Sequence, residues 1–226
     1  MGLALQIFGY VAAISLQILI LNAMRKGAWR RYPLVFLYVA FDLITNVQDI
    51  QPTLSLNSLS AAARHRYVTL YWWDERIIQA LSFMLVISLI YRASTPTGPR
   101  RTLLLMLVGG SLLVALVSVA VYFDPHITTG KWMTRWTRNM NFCAAILDLG
   151  LWATLIRTRE KDHRTLMIAG ALGLQFTAGA IGQALRDVSH SLVDISSVII
   201  VSANLICLYI WWQAFRVPSG SRLRAA

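Results

Sequence analysis

The chain has 226 residues, 57% of them hydrophobic and only 14% charged. A soluble domain carries about a quarter charged residues, so a surface this poor in charge belongs against lipid rather than water. The net charge of +11 does not point to nucleic acid, because the basic residues sit in short clusters between long apolar runs, as in membrane loops.

A helix needs about 20 mostly apolar residues to cross the hydrocarbon core. The first such run is 3–24, followed by Arg25, Lys26, Arg30 and Arg31. No Lys or Arg precedes it, and the basic cluster follows it, so it reads as a retained span inserted N-terminus first rather than a signal peptide. The second run, 33–51, opens on Pro33, a favourable first-turn residue, and a polar stretch from Pro52 to Arg66 follows. The remaining runs are 67–91, 102–123, 133–156, 166–185 and 192–215, separated by loops rich in Pro, Gly and charge. The pattern predicts one all-α domain over 1–226, a seven-transmembrane helix bundle.

Orientation follows from lysine and arginine bias. Loops one, three and five with the tail hold fourteen of the twenty-one bases and only Glu160 and Asp162 of the ten acids. That side is expected to be cytoplasmic, with the N-terminus outside and the C-terminus inside, in a multi-pass protein of the cell membrane. Trp72, Trp73, Trp132 and Trp136 near the outer ends, and Trp29, Trp152, Trp211 and Trp212 near the inner ends, match the interfacial preference of indole rings. No loop is long enough to house an output domain.

Ionisable groups inside spans are costly unless sheltered, so they mark the informative faces. Positions three, four and seven apart share a helix face. Tyr38, Asp42, Asn46 and Asp49 form one stripe; Tyr71, Glu75, Gln79 and Ser82 form another, flanked by Asp74 and Arg76. The fifth span offers Arg135, Arg138, Asn141 and Asp148, the sixth Gln175, Gly179, Gly182 and Arg186, and the seventh Asp194, Ser197 and Asn204. The fourth, with only Ser111 and Ser118, is expected to be the most lipid-exposed. Two readings of these stripes compete. They are structural ion pairs that fix helix register, or they line an outward-facing cavity for an anionic or zwitterionic small ligand. In the second reading Tyr71, Glu75, Arg76, Arg138 and Arg186 form the site, with the last two arginines as anion holders. Asp42 and Asp148 near mid-depth, beside Asn46, Asn141 and Asn204, are neutral hydrogen-bonded acids or an ion-coupling set of Asp42, Asn46, Asp148 and Asn204. Gly170, Gly173, Gly179 and Gly182 give the sixth span a small face suited to close helix packing.

Cys143 and Cys207 lie in apolar runs and read as small packing residues. His65, His126 and His190 come from three loops without ligand spacing, so no metal and no cofactor is expected. Retinal, haem and zinc-hydrolase chemistries all want a lysine or histidine inside a span, and the chain places its lysines and all four histidines at or beyond span ends. A Gly-x-Ser-x-Gly serine is also missing. No catalytic signature remains.

Several short pieces resemble an uncharacterised family of small seven-helix bacterial membrane proteins of acidobacterial type. They are Arg31-Tyr32-Pro33 leading to Tyr38, Tyr71-Trp72 with Glu75, Arg138, and the Gly170/Gly173 stretch. The chain departs from that pattern at Arg92, where the resemblance implies an acid after Tyr91. The resemblance implies topology and bacterial origin and assigns no activity. The leading functional expectation is a receptor-like or accessory protein that senses a small ligand from outside and acts through partner proteins in the membrane or cytoplasm. The alternatives are a secondary transporter or ion-coupled permease, and a structural subunit of a membrane complex.

Overall fold

A computed structural model describes residues 3–55, 61–93, 109–110, 113, 116–117, 129–158, 162–188 and 192–216. The helices among them are α1 (Leu3–Arg25), α2 (Ala28–Arg31), α3 (Pro33–Ser55), α4 (Ala61–Ala93), α5 (Thr129–Thr158), α6 (His163–Val188) and α7 (Val193–Arg216), with no strand among the described residues. Six of them are long and apolar enough to cross a membrane, over Ile7–Arg25, Pro33–Ile50, Arg66–Ala93, Arg135–Ile156, His163–Arg186 and Val193–Arg216. The expected span 102–123 lies outside the described residues except for a few helical positions, of which Leu113, Leu116 and Val117 are exposed. His126, His190 and the His65 side chain also lie outside what is described.

The polar stretch expected after Gln51 is partly helical. α3 continues through Pro52 to Ser55, and α4 begins already at Ala61. Proline removes one hydrogen bond to the preceding turn, and in the final turn of a helix that loss does not propagate further.

Local chemistry sets the turns at one end of the bundle. Gly27, at φ 119°, takes the left-handed conformation that ends α1, and its N–H donates to the Met24 carbonyl at 3.1 Å. The single turn of α2 leads through Tyr32 to Pro33, whose missing N–H falls in the first turn of α3 where none is needed. Asp162 caps α6: its Oδ1 accepts from the Arg164 N–H at 3.2 Å, and its carbonyl accepts from the Leu166 N–H.

The six long helices close into a ring in the order α1, α3, α4, α5, α6, α7, with α7 returning to α1. Arg25, Arg31, Arg92, Arg164 and Arg216 gather at one end of this ring, the basic end. The outer surface is apolar: Phe8, Ile18, Leu37, Ile44, Met84, Ile146, Leu149, Leu174 and Ile206 are all exposed, as lipid contact requires.

The ring interior differs along its axis. Toward the basic end it is filled by Ile20, Met24, Val35, Leu85, Leu89, Leu151, Leu155, Ile168, Leu172, Leu208 and Trp211, each 2% exposed or less. The glycines of α6 set how closely its neighbours approach. A Cβ on Gly173 would lie 2.4 Å from Oδ2 of Asp148 on α5, and one on Gly182 would lie 2.5 Å from Cγ1 of Ile200 on α7. The small face expected on this helix is therefore used on both sides at once.

Candidate functional site

Toward the other end the ring is hollow. A cavity of about 480 Å³ lies at its centre and draws walls from all six long helices. Such a volume lies within the usual range for small-molecule sites.

The two polar stripes read from sequence both face this space. α3 contributes Tyr38, Asp42, Asn46 and Asp49, and α4 contributes Tyr71, Asp74, Glu75, Gln79 and Ser82. From α6 come Gln175, Gly179, Gln183 and Arg186, and from α7 Ser197 and Asn204. α5 supplies only Thr137 and Asn141, and α1 supplies Gly9, Tyr10 and Ala13. Gly179 is itself a contact point, since a Cβ there would lie 2.9 Å from the Asn141 amide nitrogen.

Hydrogen bonds organise the floor. The Gln175 amide donates to the Tyr38 hydroxyl at 3.0 Å and reaches Asn204 Oδ1 at 3.3 Å, which ties α3, α6 and α7 together. The Tyr38 ring packs edge-on against Trp211, with centroids 5.6 Å apart, and the Trp211 indole N–H donates to the Ile168 carbonyl. The polar floor therefore rests directly on the packed half.

Asp42 finds a partner that the sequence stripes do not contain. Gln17, fully buried on α1, donates from Nε2 to Asp42 Oδ2 at 2.6 Å. The expected partners Asn46 and Asn204 line the same cavity without a described bond to this carboxylate. Gln17 is the functional residue that sequence reasoning missed; an amide near the middle of an apolar run, between Gln6 and Asn22, was its only signal.

At the upper wall, Glu75 lies within electrostatic reach of Asp42, Asp49 and Arg186. Arg186 donates through Nη2 to Ser197 at 3.0 Å, while its Nε is buried without a partner. Four other lining side chains carry buried polar atoms in the same condition: Asn46 Nδ2, Gln79 Nε2, Gln175 Oε1 and Gln183 Oε1. Buried hydrogen-bonding groups are normally satisfied, so such a concentration around one cavity is a feature to be explained.

The proposed residues separate into two groups. Tyr71, Glu75, Arg186, Asp42, Asn46 and Asn204 share the cavity. Arg76, Arg138 and Asp148 stand outside its lining. Arg76 packs over the Trp73 ring at 4.9 Å, and Arg138 is partly exposed on α5. Of the two arginines expected to hold an anion, only Arg186 faces the space. Asp148 is 2% exposed and lies just below the floor against Gly173, with its Oδ1 unpartnered. No group of three or more His, Cys, Asp or Glu side chains converges on a metal position among the described residues.

A second polar cluster closes the basic end. Asp162 Oδ2 accepts from Arg31 at 2.7 Å, from the Tyr32 hydroxyl at 2.6 Å and from Thr165 at 3.1 Å. Burial alone pushes the Asp162 carboxyl up, but the Tyr32 hydroxyl, the Arg31 charge, the Arg164 N–H and Thr165 outweigh it and hold the group below its ordinary value. Tyr32 shifts the other way: burial, together with the hydrogen bond to Asp162 and its charge, raises the phenol. The guanidinium groups of Arg31 and Arg92 lie 5.7 and 5.0 Å from the Tyr32 ring centre, Arg92 also donates to the Arg31 carbonyl, and Phe215 packs edge-on against the same ring. α2, α4, α6 and α7 meet at this one tyrosine, which leads into α3.

Comparison of the chain with protein-family models, with curated proteins and with solved structures gave no match.

Proposed function

We propose that this is a receptor-like or accessory membrane protein that binds a small polar ligand in the ring cavity from the side opposite the basic end. The observation that carries the reading is the set of five buried, unpartnered polar atoms on the cavity walls, from Asn46, Gln79, Gln175, Gln183 and Arg186. A packed structural interior normally pairs such atoms, and among the described residues the others left unpaired, Gln17 Oε1 and Asp148 Oδ1, are fewer than those on this lining, whereas a ligand site keeps them available. The lysine and arginine excess at the basic end supports a cytoplasmic position for it, and with it a cavity on the outer side.

A seven-span arrangement has support from chain direction. Glu75 in the first half of α4 lies close to Arg186 at the end of α6, while Arg92 at the end of α4 meets Arg31 at the basic end. α5 runs antiparallel to α6, as Asn141 beside Gly179 and Trp152 beside Gly170 require. α4 and α5 therefore point the same way, so Ala93 and Thr129 lie at opposite ends of the bundle, which supports the expected span 102–123 between them.

Substituted-cysteine labelling tests access and orientation together. In a background with Cys143→Ala and Cys207→Ala, Ser82→Cys should react with a membrane-impermeant thiol reagent added outside intact cells. Ala169→Cys in the packed half should not. Labelling of position 82 only from the cytoplasmic face, or from neither face, overturns the reading.

The permease reading draws on one separate feature, the two buried carboxylates Asp42 and Asp148 on either side of the cavity floor. In proteoliposomes it requires gradient-driven flux that Asp42→Asn or Asp148→Asn abolishes.

A further inference from the structure

Resting on the ligand-binding reading above, we infer that the cavity takes an organic cation, specifically a linear aliphatic amine with more than one ammonium group. The charge of the walls is the first ground. Among the described lining residues the carboxylates are Asp42, Asp49, Asp74 and Glu75, and the one guanidinium is Arg186. An entering anion would meet this excess of like charge in a medium of low dielectric, whereas a cation relieves it.

The layout of the carboxylates gives the second ground. Asp42 and Asp49 are two helical turns apart on α3, about 10 Å along the axis. Glu75 on the facing helix is within electrostatic reach of both, so the acceptors are strung along the cavity rather than gathered at a point. A metal ion wants ligands that converge, and no converging group exists among the described residues. A diamine with a four-carbon spacer sets its nitrogens roughly 6 Å apart at ordinary bond lengths and can engage successive carboxylates.

The remaining walls suit the rest of such a molecule. Tyr10, Tyr38 and Tyr71 present aromatic rings, whose faces attract ammonium groups. Ile78, Phe176 and Ile200 offer apolar surface to the methylenes. The buried carbonyl oxygens Oε1 of Gln175 and Gln183 are unpartnered acceptors, and an ammonium is a donor only. The Gln79 amide, in a side chain only 9% exposed, turns an unpartnered donor, Nε2, into this space, and a 180° rotation of that amide presents its carbonyl oxygen to an ammonium instead.

The probes are spermidine and putrescine, set against succinate and glycine at equal ionic strength. Each is tested for slowing the labelling of Ser82→Cys from outside and for raising the melting temperature of the purified wild-type chain. Spermidine and putrescine should protect position 82 and stabilise the wild type, with succinate and glycine inert. Glu75→Gln, and independently Asp74→Asn at the mouth, should each weaken spermidine protection about tenfold, the loss expected of one charge-assisted contact. Protection by succinate or glycine, protection by no probe while position 82 still labels, or full spermidine protection in both variants overturns the cation assignment. Those results leave the accessible cavity standing. Failure of position 82 to label from outside removes the cavity reading itself, and the wild-type melting shift then judges the cation assignment alone: no shift with spermidine overturns it.

Discussion

The two halves of this bundle are built from the same helices to opposite specifications. In the half toward the basic end, Trp211, Leu151, Ile168 and Leu208 fill the ring and the tyrosine-centred cluster closes it. In the other half, the same α3, α4, α6 and α7 turn Asp42, Glu75, Gln183 and Ser197 into open space. Within a membrane, apolar side chains gain little from leaving lipid, so the filled half is held by close packing and interhelical hydrogen bonds rather than by exclusion of water. That leaves stability concentrated in one half and lets the other carry unsatisfied polar atoms. Stability and recognition are separated along the axis instead of between core and surface.

The sharpest way to break this comparison is to truncate one residue in each half. Trp211→Ala removes a fully buried indole beneath the cavity floor and should cost about 3–5 kcal/mol in SDS-titration unfolding. Gln79→Leu in the hollow half should change stability by about 0.5 kcal/mol or less, or raise it, because an unsatisfied amide is removed. Equal losses at the two positions would erase the distinction.

The boundary between the halves is tested next. Gly173→Val drives a side chain into the Asp148 carboxylate and should cost about 1–3 kcal/mol. Asp148→Ala in the same chain should recover part of that loss, since the clashing atom is gone; strictly additive losses would place the contact elsewhere.

Smallest is the effect at the basic end. Asp162→Asn should lower stability by about 1 kcal/mol, the worth of a partly exposed carboxylate held by several donors. The pH dependence has a definite sign. The folded Asp162 carboxyl is depressed, so its contribution is complete above the ordinary carboxylate value near pH 4 and fades as pH falls through the folded value. The Tyr32 phenol is raised, so its contribution holds up to about pH 10 and is lost as pH rises through the folded value. Acid unfolding curves of wild type and Asp162→Asn should converge below pH 4; a constant gap down to pH 2 contradicts the assignment.

Much of the hollow half was legible in the sequence because its walls obey helical periodicity. Tyr38, Asp42, Asn46 and Asp49 repeat every three or four residues, as do Tyr71, Glu75, Gln79 and Ser82, and both sets face the cavity. α5 was harder. Its polar positions span a broad arc, and only the structure separates Asn141, which lines the space, from Arg138, which does not, and from Asp148, which sits one level lower against Gly173. Gln17 was illegible for a different reason. Its run holds only three scattered amides, Gln6, Gln17 and Asn22, too few to mark a stripe, and the meaning of Gln17 comes from Asp42, twenty-five residues later. The order of helices around the ring was also beyond reach, since it depends on which faces meet and not on which residues are apolar.

Closure of that ring has a consequence for biogenesis. α1 leaves the ribosome first and α7 last among the described helices, yet the two are neighbours, and Gly9 packs 3.2 Å, measured from a virtual Cβ, from Val201. Until α7 arrives, the carboxylates of α3 and α4 have an open flank toward the bilayer. Chains stopped before α7 should therefore be held by insertion chaperones or cleared by membrane proteases, while the finished chain escapes both.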